Sequence, residues 1–185
     1  MHNNLFEIIV VATMSAGKST VINALIGKEL LHSANQATTA TITRIHDRYG
    51  LPFFSGCAYG YKAELLEESH HINAQILKEW NANPSIKTID LTGDITAIRN
   101  DKAELVIYDT PGPNNSQDDN HRALTMEIIE DGNYGLVLFV LNGTNLGTND
   151  EYDLLQIVKN SLSNSPNKKI VFLLNKKEKL ENLED

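Results

Sequence analysis

A chain of 185 residues with 41% hydrophobic content carries enough apolar material for one core, and its net charge of −8 argues against a standing partnership with nucleic acid or an anionic lipid surface. The single cysteine, Cys57, excludes an internal disulfide and suits a reducing cytoplasm. The longest apolar runs, "IIVVA" and "GLVLFVL", are too short to span a bilayer, and "MHNNLFEI" lacks signal-peptide architecture.

Leu5 to Ala12 is a nearly unbroken apolar run rich in β-branched residues, the pattern of a strand buried on both faces. Gly17 to Ile26 follows with Val21, Ile22, Leu25 and Ile26 at helical spacing, and Gly27 stands where a helix C-cap glycine belongs. Between them, "ATMSAGKST" spells a phosphate-binding loop, G-x-x-x-x-G-K-[S/T], with Ala12 in place of the first glycine. The turn's backbone N–H groups, contributed by Met14, Ser15, Ala16, Gly17, Lys18, Ser19 and Thr20, point at the oxygens of a di- or triphosphate. Lys18 reaches the β- and γ-phosphates, and the Ser19 hydroxyl ligates Mg²⁺.

Next comes "NQATTATITRI", where a hydroxyl from a mobile segment completes the Mg²⁺ shell in the presence of a γ-phosphate. Thr38 is the first choice and Thr39 the second, although threonine-rich segments are also good strands. From His46 to Asn100 the alternation of strand and helix breaks down. "PFFSGCAYG" reads as short extended segments, Lys62 to Trp80 as a helix with Leu65, Ile72, Ile76 and Trp80 on one stripe, and "SIKTIDLTGDI" as a strand. His70 and His71 diverge by about 100° on such a helix, which disfavours joint metal binding and places them on a solvated face. Cys57 reads as a small buried residue and Trp80 as core.

"ELVIY", Glu104 to Tyr108, is a second buried strand and runs into "DTPG". Asp109 at its carboxyl end holds a magnesium-bound water, and Gly112 offers its N–H to a γ-phosphate because no side chain obstructs the approach. Asp118 and Asp119 on the following loop face solvent. Further helices are expected at roughly His121 to Glu130 and Asp150 to Lys159, and further buried strands at Gly135 to Leu141 and Lys169 to Leu174. This order predicts an α/β fold of the P-loop nucleoside-triphosphatase type: a mostly parallel sheet flanked by helices, with an elaboration inserted at about 46–100. The last strand ends in "NKKE", close to the N-K-x-D that reads guanine. Asn175 and Lys176 match it, while Glu178 supplies its carboxylate from a side chain one methylene longer.

"TMSAGKST", "QATTATITRI", "DTPGPNN" and "LLNKKE", in this order and with the long elaboration, resemble the dynamin family of GTPases, particularly its bacterial dynamin-like members. The resemblance covers nearly the whole chain. It implies GTP as substrate, Mg²⁺ as cofactor, catalytic roles for Lys18, Ser15 and Thr38, and pairing of two copies through the nucleotide face. Ser15 matches the serine that helps to place a charge-compensating cation, and Met14 occupies the position of a water-orienting glutamine. Pro113 stands where Ras-like enzymes carry their own glutamine, so neither usual water-positioning amide is present. Slow intrinsic hydrolysis follows, accelerated when another surface supplies polar groups such as Asn114, Asn115, Gln117, His121 or Arg122. Arg122 as an arginine finger in trans stands against a plain solvated helix face.

The resemblance further implies a GTPase domain over 1–185 truncated after the base motif, with membrane association reserved for segments of a fuller form. Two alternatives stay open. An Era-like ribosome-associated GTPase also uses "TT" and "DTPG", but the stretch from Thr38 to Asp109 is longer than two paired strands need and no basic RNA-binding segment follows. A nucleotide-binding interaction module without hydrolysis would explain Met14 and Glu178.

Overall fold

The computed structural model describes residues 5–32, 41–97, 103–111, 125–130, 134–163 and 167–176. In chain order the elements are β1 (Leu5–Ala12), α1 (Lys18–Ile26), β2 (Ile42–Asp47), β3 (Phe54–Gly60), β4 (Leu65–Ile72), α2 (Ala74–Ala82), β5 (Ile86–Gly93) and β6 (Glu104–Asp109). There follow α3, described over residues 125–130, then β7 (Leu136–Asn142), α4 (Asn149–Ser163) and β8 (Lys169–Asn175). The strands form one sheet in the order β4-β3-β5-β2-β6-β1-β7-β8.

The apolar run of β1 occupies the position that such a run demands. Ile8, Val10 and Ala12 project into one core with Val21, Ile22 and Ile26 of α1 and with Leu77 and Trp80 of α2. Ile9 and Val11, one residue out of phase, project into a second core with Ile129, Phe139, Leu154 and Val158. Parallel pairing of β1 with β6 and β7, and of β7 with β8, brings Ala12, Asp109, Asn142 and Asn175 to one end of the sheet. β2 runs antiparallel to β6, so Asp47 and the loop that follows lie at the opposite end.

The elaboration departs from its sequence reading at residues 62–80. Lys62 to Trp80 is not one helix: a turn at Gly60–Glu64, with Ala63 at φ +59°, leads into β4, and only then does α2 begin. Asn73 starts that helix by accepting the Ile76 N–H at 3.0 Å. β4 forms because β3 offers it an unpaired edge. His70 and His71 are accordingly exposed strand residues on opposite faces. Trp80 is buried as expected, whereas Cys57 is only half-buried.

β8 is a second correction. Its composition reads as buried, yet among the described strands it has a neighbour on one side only, and Val171, Phe172 and Leu174 are exposed. No helix among the described residues is long and apolar enough to cross a membrane.

Candidate functional site

The loop after β1 begins from buried strand backbone. Ala12 is the last residue of β1 and needs no glycine-only conformation, which explains why the first motif position tolerates a methyl group. Gly17 does require glycine. It sits at φ +89° as the N-cap of α1, and a Cβ there would overlap the Asn175 amide. No side chain caps α1, so its first N–H groups remain available to an anion. Ser15 adopts φ +61°, Ala16 is buried, and Met14 in the loop is 54% exposed.

The chain brings together residues far apart in sequence. Lys18 Nζ donates to Asp109 Oδ1 in a close ion pair, with both side chains largely shielded from water. Burial draws the Lys18 ammonium from its usual 10.5 down to about 7, and the adjacent carboxylate opposes that shift by favouring the charged form. Asp109 is held at the strand end by its neighbours: the Thr110 hydroxyl donates to the Val10 carbonyl at 2.9 Å, and the Thr125 hydroxyl to the Pro111 carbonyl at 2.5 Å. Ser19 lies half-buried in the first turn of α1.

The base-motif residues touch the phosphate loop directly. Asn175 Nδ2 donates to the Ala16 carbonyl at 2.9 Å, and Lys176 Nζ to the Ser15 carbonyl at 2.6 Å. The Gly143 N–H donates to the Asn175 carbonyl at 2.8 Å, tying in the loop after β7. The Ser15 and Ala16 carbonyls are thus satisfied from the base side, while the Ala16 N–H turns back within the loop to the Thr13 carbonyl at 3.3 Å. Sequence reasoning assigned these residues to phosphate and base, but it missed the contacts between them, because no local spacing encodes a pair 159 or 161 positions apart. Thr38, Thr39, Gly112, Pro113, Glu178, Asp118, Asp119 and the polar set from Asn114 to Arg122 lie outside the described residues.

A hydroxyl and a carboxylate, Ser19 and Asp109, are hard oxygen donors of the kind that hold Mg²⁺ beside substrate phosphates, and Lys18 adjoins Asp109 as a phosphate partner would. The polar groove of about 440 Å³ across β2, β5, β3 and β4 is a different kind of place. Two of its carboxylates are engaged: Asp90 takes a two-pronged bond from Arg44, and Glu104 lies 3.2 Å from Arg48. Among the described residues no group of three or more His, Cys, Asp or Glu could hold a metal.

Comparison with known proteins agrees with this fold. Two solved structures of an oligomerised bacterial dynamin pair, described as a mechanism for long-range sensing and tethering of membranes, each match with a TM-score of 0.61 at 18% identity. They cover 96% and 97% of this chain, which spans 26% and 27% of theirs, about a quarter of their length. Aquifex aeolicus Era bound to GDP·AlF4⁻ matches with a TM-score of 0.53 at 16% identity, over 96% of this chain and 42% of its own. Among curated proteins nothing matches. The model of the dynamin family matches residues 8–177, from the second half of β1 into the base motif. With its fold and motif order in agreement, the chain belongs to the dynamin family.

Proposed function

We propose that this domain binds GTP with Mg²⁺ and hydrolyses it slowly alone, and faster when two copies pair through their nucleotide faces. The observation that carries the reading is the meeting of Lys18 and Asp109 under a helix N-terminus whose amides are uncapped. The α1 amides and Lys18 bind and orient the polyphosphate. Ser19 and Asp109 would hold Mg²⁺, with Thr38 joining them, and the ion when bound offsets the charge of the phosphates. Asn175 and Lys176 position the base through their grip on the phosphate loop, and Glu178 supplies the carboxylate facing it. Thr39 and Gly112 complete the phosphate contacts.

Slowness follows from Met14, because a thioether in the loop cannot hold a water for attack as an amide would. A second copy supplies what is missing, with Arg122 as the candidate donor. The bacterial dynamin structures are described as an oligomerised pair, which favours this reading over an Era-like one. The domain reading of residues 1–185, its cytoplasmic location and any membrane association of a fuller form belong to the same proposal.

Single-turnover hydrolysis of GTP and ATP with Mg²⁺, at protein concentrations from sub-micromolar to high micromolar, tests it. GTP turnover per molecule should rise with concentration, and Arg122→Ala should flatten that rise. Tight binding with no turnover at any concentration would replace the proposal with a nucleotide-binding module.

A further inference from the structure

Thr110 and Pro111, which follow Asp109 at the nucleotide end of the sheet, are gripped from two sides by buried hydroxyls. The Thr110 hydroxyl ties the segment back to β1 at the Val10 carbonyl, and the Thr125 hydroxyl of α3 reaches the Pro111 carbonyl at 2.5 Å. A threonine inside a helix ordinarily donates to a carbonyl one turn earlier in its own helix, or points to solvent. Thr125 does neither: it is 1% exposed, and its acceptor lies 14 positions back along the chain. It is also a fixed donor. One turn further along the same helix face, Ile129 is fully buried in the core with Ile9, Val11 and Phe139. The Ile129 carbonyl accepts the Tyr134 hydroxyl at 2.7 Å and the Ser161 hydroxyl of α4 at 2.5 Å.

Proline makes that bond directional. The Pro111 ring fixes φ at about −65° and removes the N–H, which leaves the carbonyl as the residue's backbone hydrogen-bonding group and ψ as its free torsion. A hydroxyl held on the carbonyl therefore fixes ψ as well. The consequence passes to the next residue, because the planar peptide that carries the Pro111 C=O also carries the Gly112 N–H, pointing the opposite way. A buried hydroxyl gains little stability over a methyl group of the same shape, since desolvation offsets most of its bond. What it adds here is orientation. We infer that Thr125 is a positioning residue for the γ-phosphate: through the Pro111 carbonyl its hydroxyl sets the direction of the Gly112 N–H, and so lets the site tell a nucleoside triphosphate from a diphosphate. The inference rests on the nucleotide reading above and deepens it. Its effect is confined to the third phosphate, because the uncapped α1 amides serve the phosphates that both nucleotides share.

Calorimetric titration with GTPγS and with GDP, each in Mg²⁺, tests the inference on the wild type and two variants. Thr125→Val keeps the shape and removes the hydroxyl, so GTPγS affinity should fall roughly tenfold, the worth of one well-ordered hydrogen bond, while GDP affinity stays within about twofold. Thr125→Ser keeps the hydroxyl and deletes a buried methyl, so it should melt below wild type yet keep the wild-type ratio of GTPγS to GDP affinity. A threonine that served stability alone would weaken both nucleotides together in whichever variant melts lower. A spectroscopic readout accompanies the titrations. When GTPγS replaces GDP, the Gly112 amide resonance should move downfield in the wild type and in Thr125→Ser, and stay in place in Thr125→Val. An unchanged affinity ratio in Thr125→Val, or an equal loss for both nucleotides, would overturn the inference and leave the nucleotide reading standing, since the wild type still binds. Should Thr125→Val not fold, loss of the ratio in Thr125→Ser or a wild-type Gly112 amide indifferent to GTPγS overturns it. A wild type that binds neither nucleotide overturns the nucleotide reading, and this inference with it.

Discussion

Asp109→Asn puts the pairing of Lys18 with Asp109 to a quantitative test. Their side chains are 15% and 16% exposed, and each is the other's charge partner. A polyphosphate arriving without metal draws Lys18 to itself and leaves Asp109 facing a second anion. At about 6 Å and an effective dielectric near 20, one pair of like charges costs about 3 kcal/mol, and screening at the rim of the site halves it to about 1.5 kcal/mol. The variant keeps the shape and removes that repulsion, so metal-free GTP should bind roughly tenfold more tightly than to the wild type. In Mg²⁺ the order should reverse, because the variant lacks the carboxylate that would hold the ion's water. Lys18 also loses its counter-charge, and a partly shielded pair of this kind contributes about 1–2 kcal/mol, a fall in Tm of roughly 3–6 °C for a chain of this length. Titration of a fluorescent GTP analogue in EDTA and in Mg²⁺, with thermal melts alongside, reads all three effects. Weaker binding in EDTA than the wild type shows would refute the reasoning, since it would mean that Asp109 assists phosphate binding directly.

Two further substitutions probe the same loop. Gly17→Ala forces a methyl group into the Asn175 amide at a backbone angle that favours glycine. Strain and the lost bond to Ala16 together should cost about 2–3 kcal/mol, lower Tm by roughly 5–10 °C and abolish nucleotide binding, as calorimetry and GTP titration will show. Met14→Gln replaces an exposed side chain and so should leave Tm within about 1–2 °C of wild type, while the restored amide raises the single-turnover rate of dilute protein on the order of tenfold. An unchanged rate would place water orientation in another group.

What the sequence disclosed about this molecule was local. The strand-loop-helix at Ile8 to Ile26, the strand running into Asp109 and the strand running into Asn175 could be read because each motif fits within one segment. Gly27 closes α1 at φ +72°, as its position suggested. What escaped depends on neighbours distant in sequence. Leu65 and Ile72 are seven residues apart, a spacing that fits two turns of helix, and only the free edge of β3 makes their segment a strand. The exposure of Val171 and Phe172 is likewise invisible in an apolar run, because position in the sheet rather than composition decides it. The site's residues were named from spacing, but the contacts between phosphate loop and base motif cross the whole chain.

Those contacts explain why the two glycine positions of the phosphate-loop motif are unequal. The first lies where β1 ends, in strand backbone packed in the core, and Ala12 fills it without strain. The second lies where the loop turns into α1 and where the base motif reaches across, so its missing side chain makes room for Asn175. β1 is central and buried, whereas β8 is an outer strand among those described, with β7 as its neighbour. Asn175 and Lys176 therefore take their position from the phosphate loop as much as from their own strand, through bonds to the Ala16 and Ser15 carbonyls. The Ser15 and Ala16 carbonyls are committed on that side, while the first N–H groups of α1 carry no side-chain cap and stay open to an anion. Substituting the first glycine leaves this arrangement intact, and substituting the second would dismantle it.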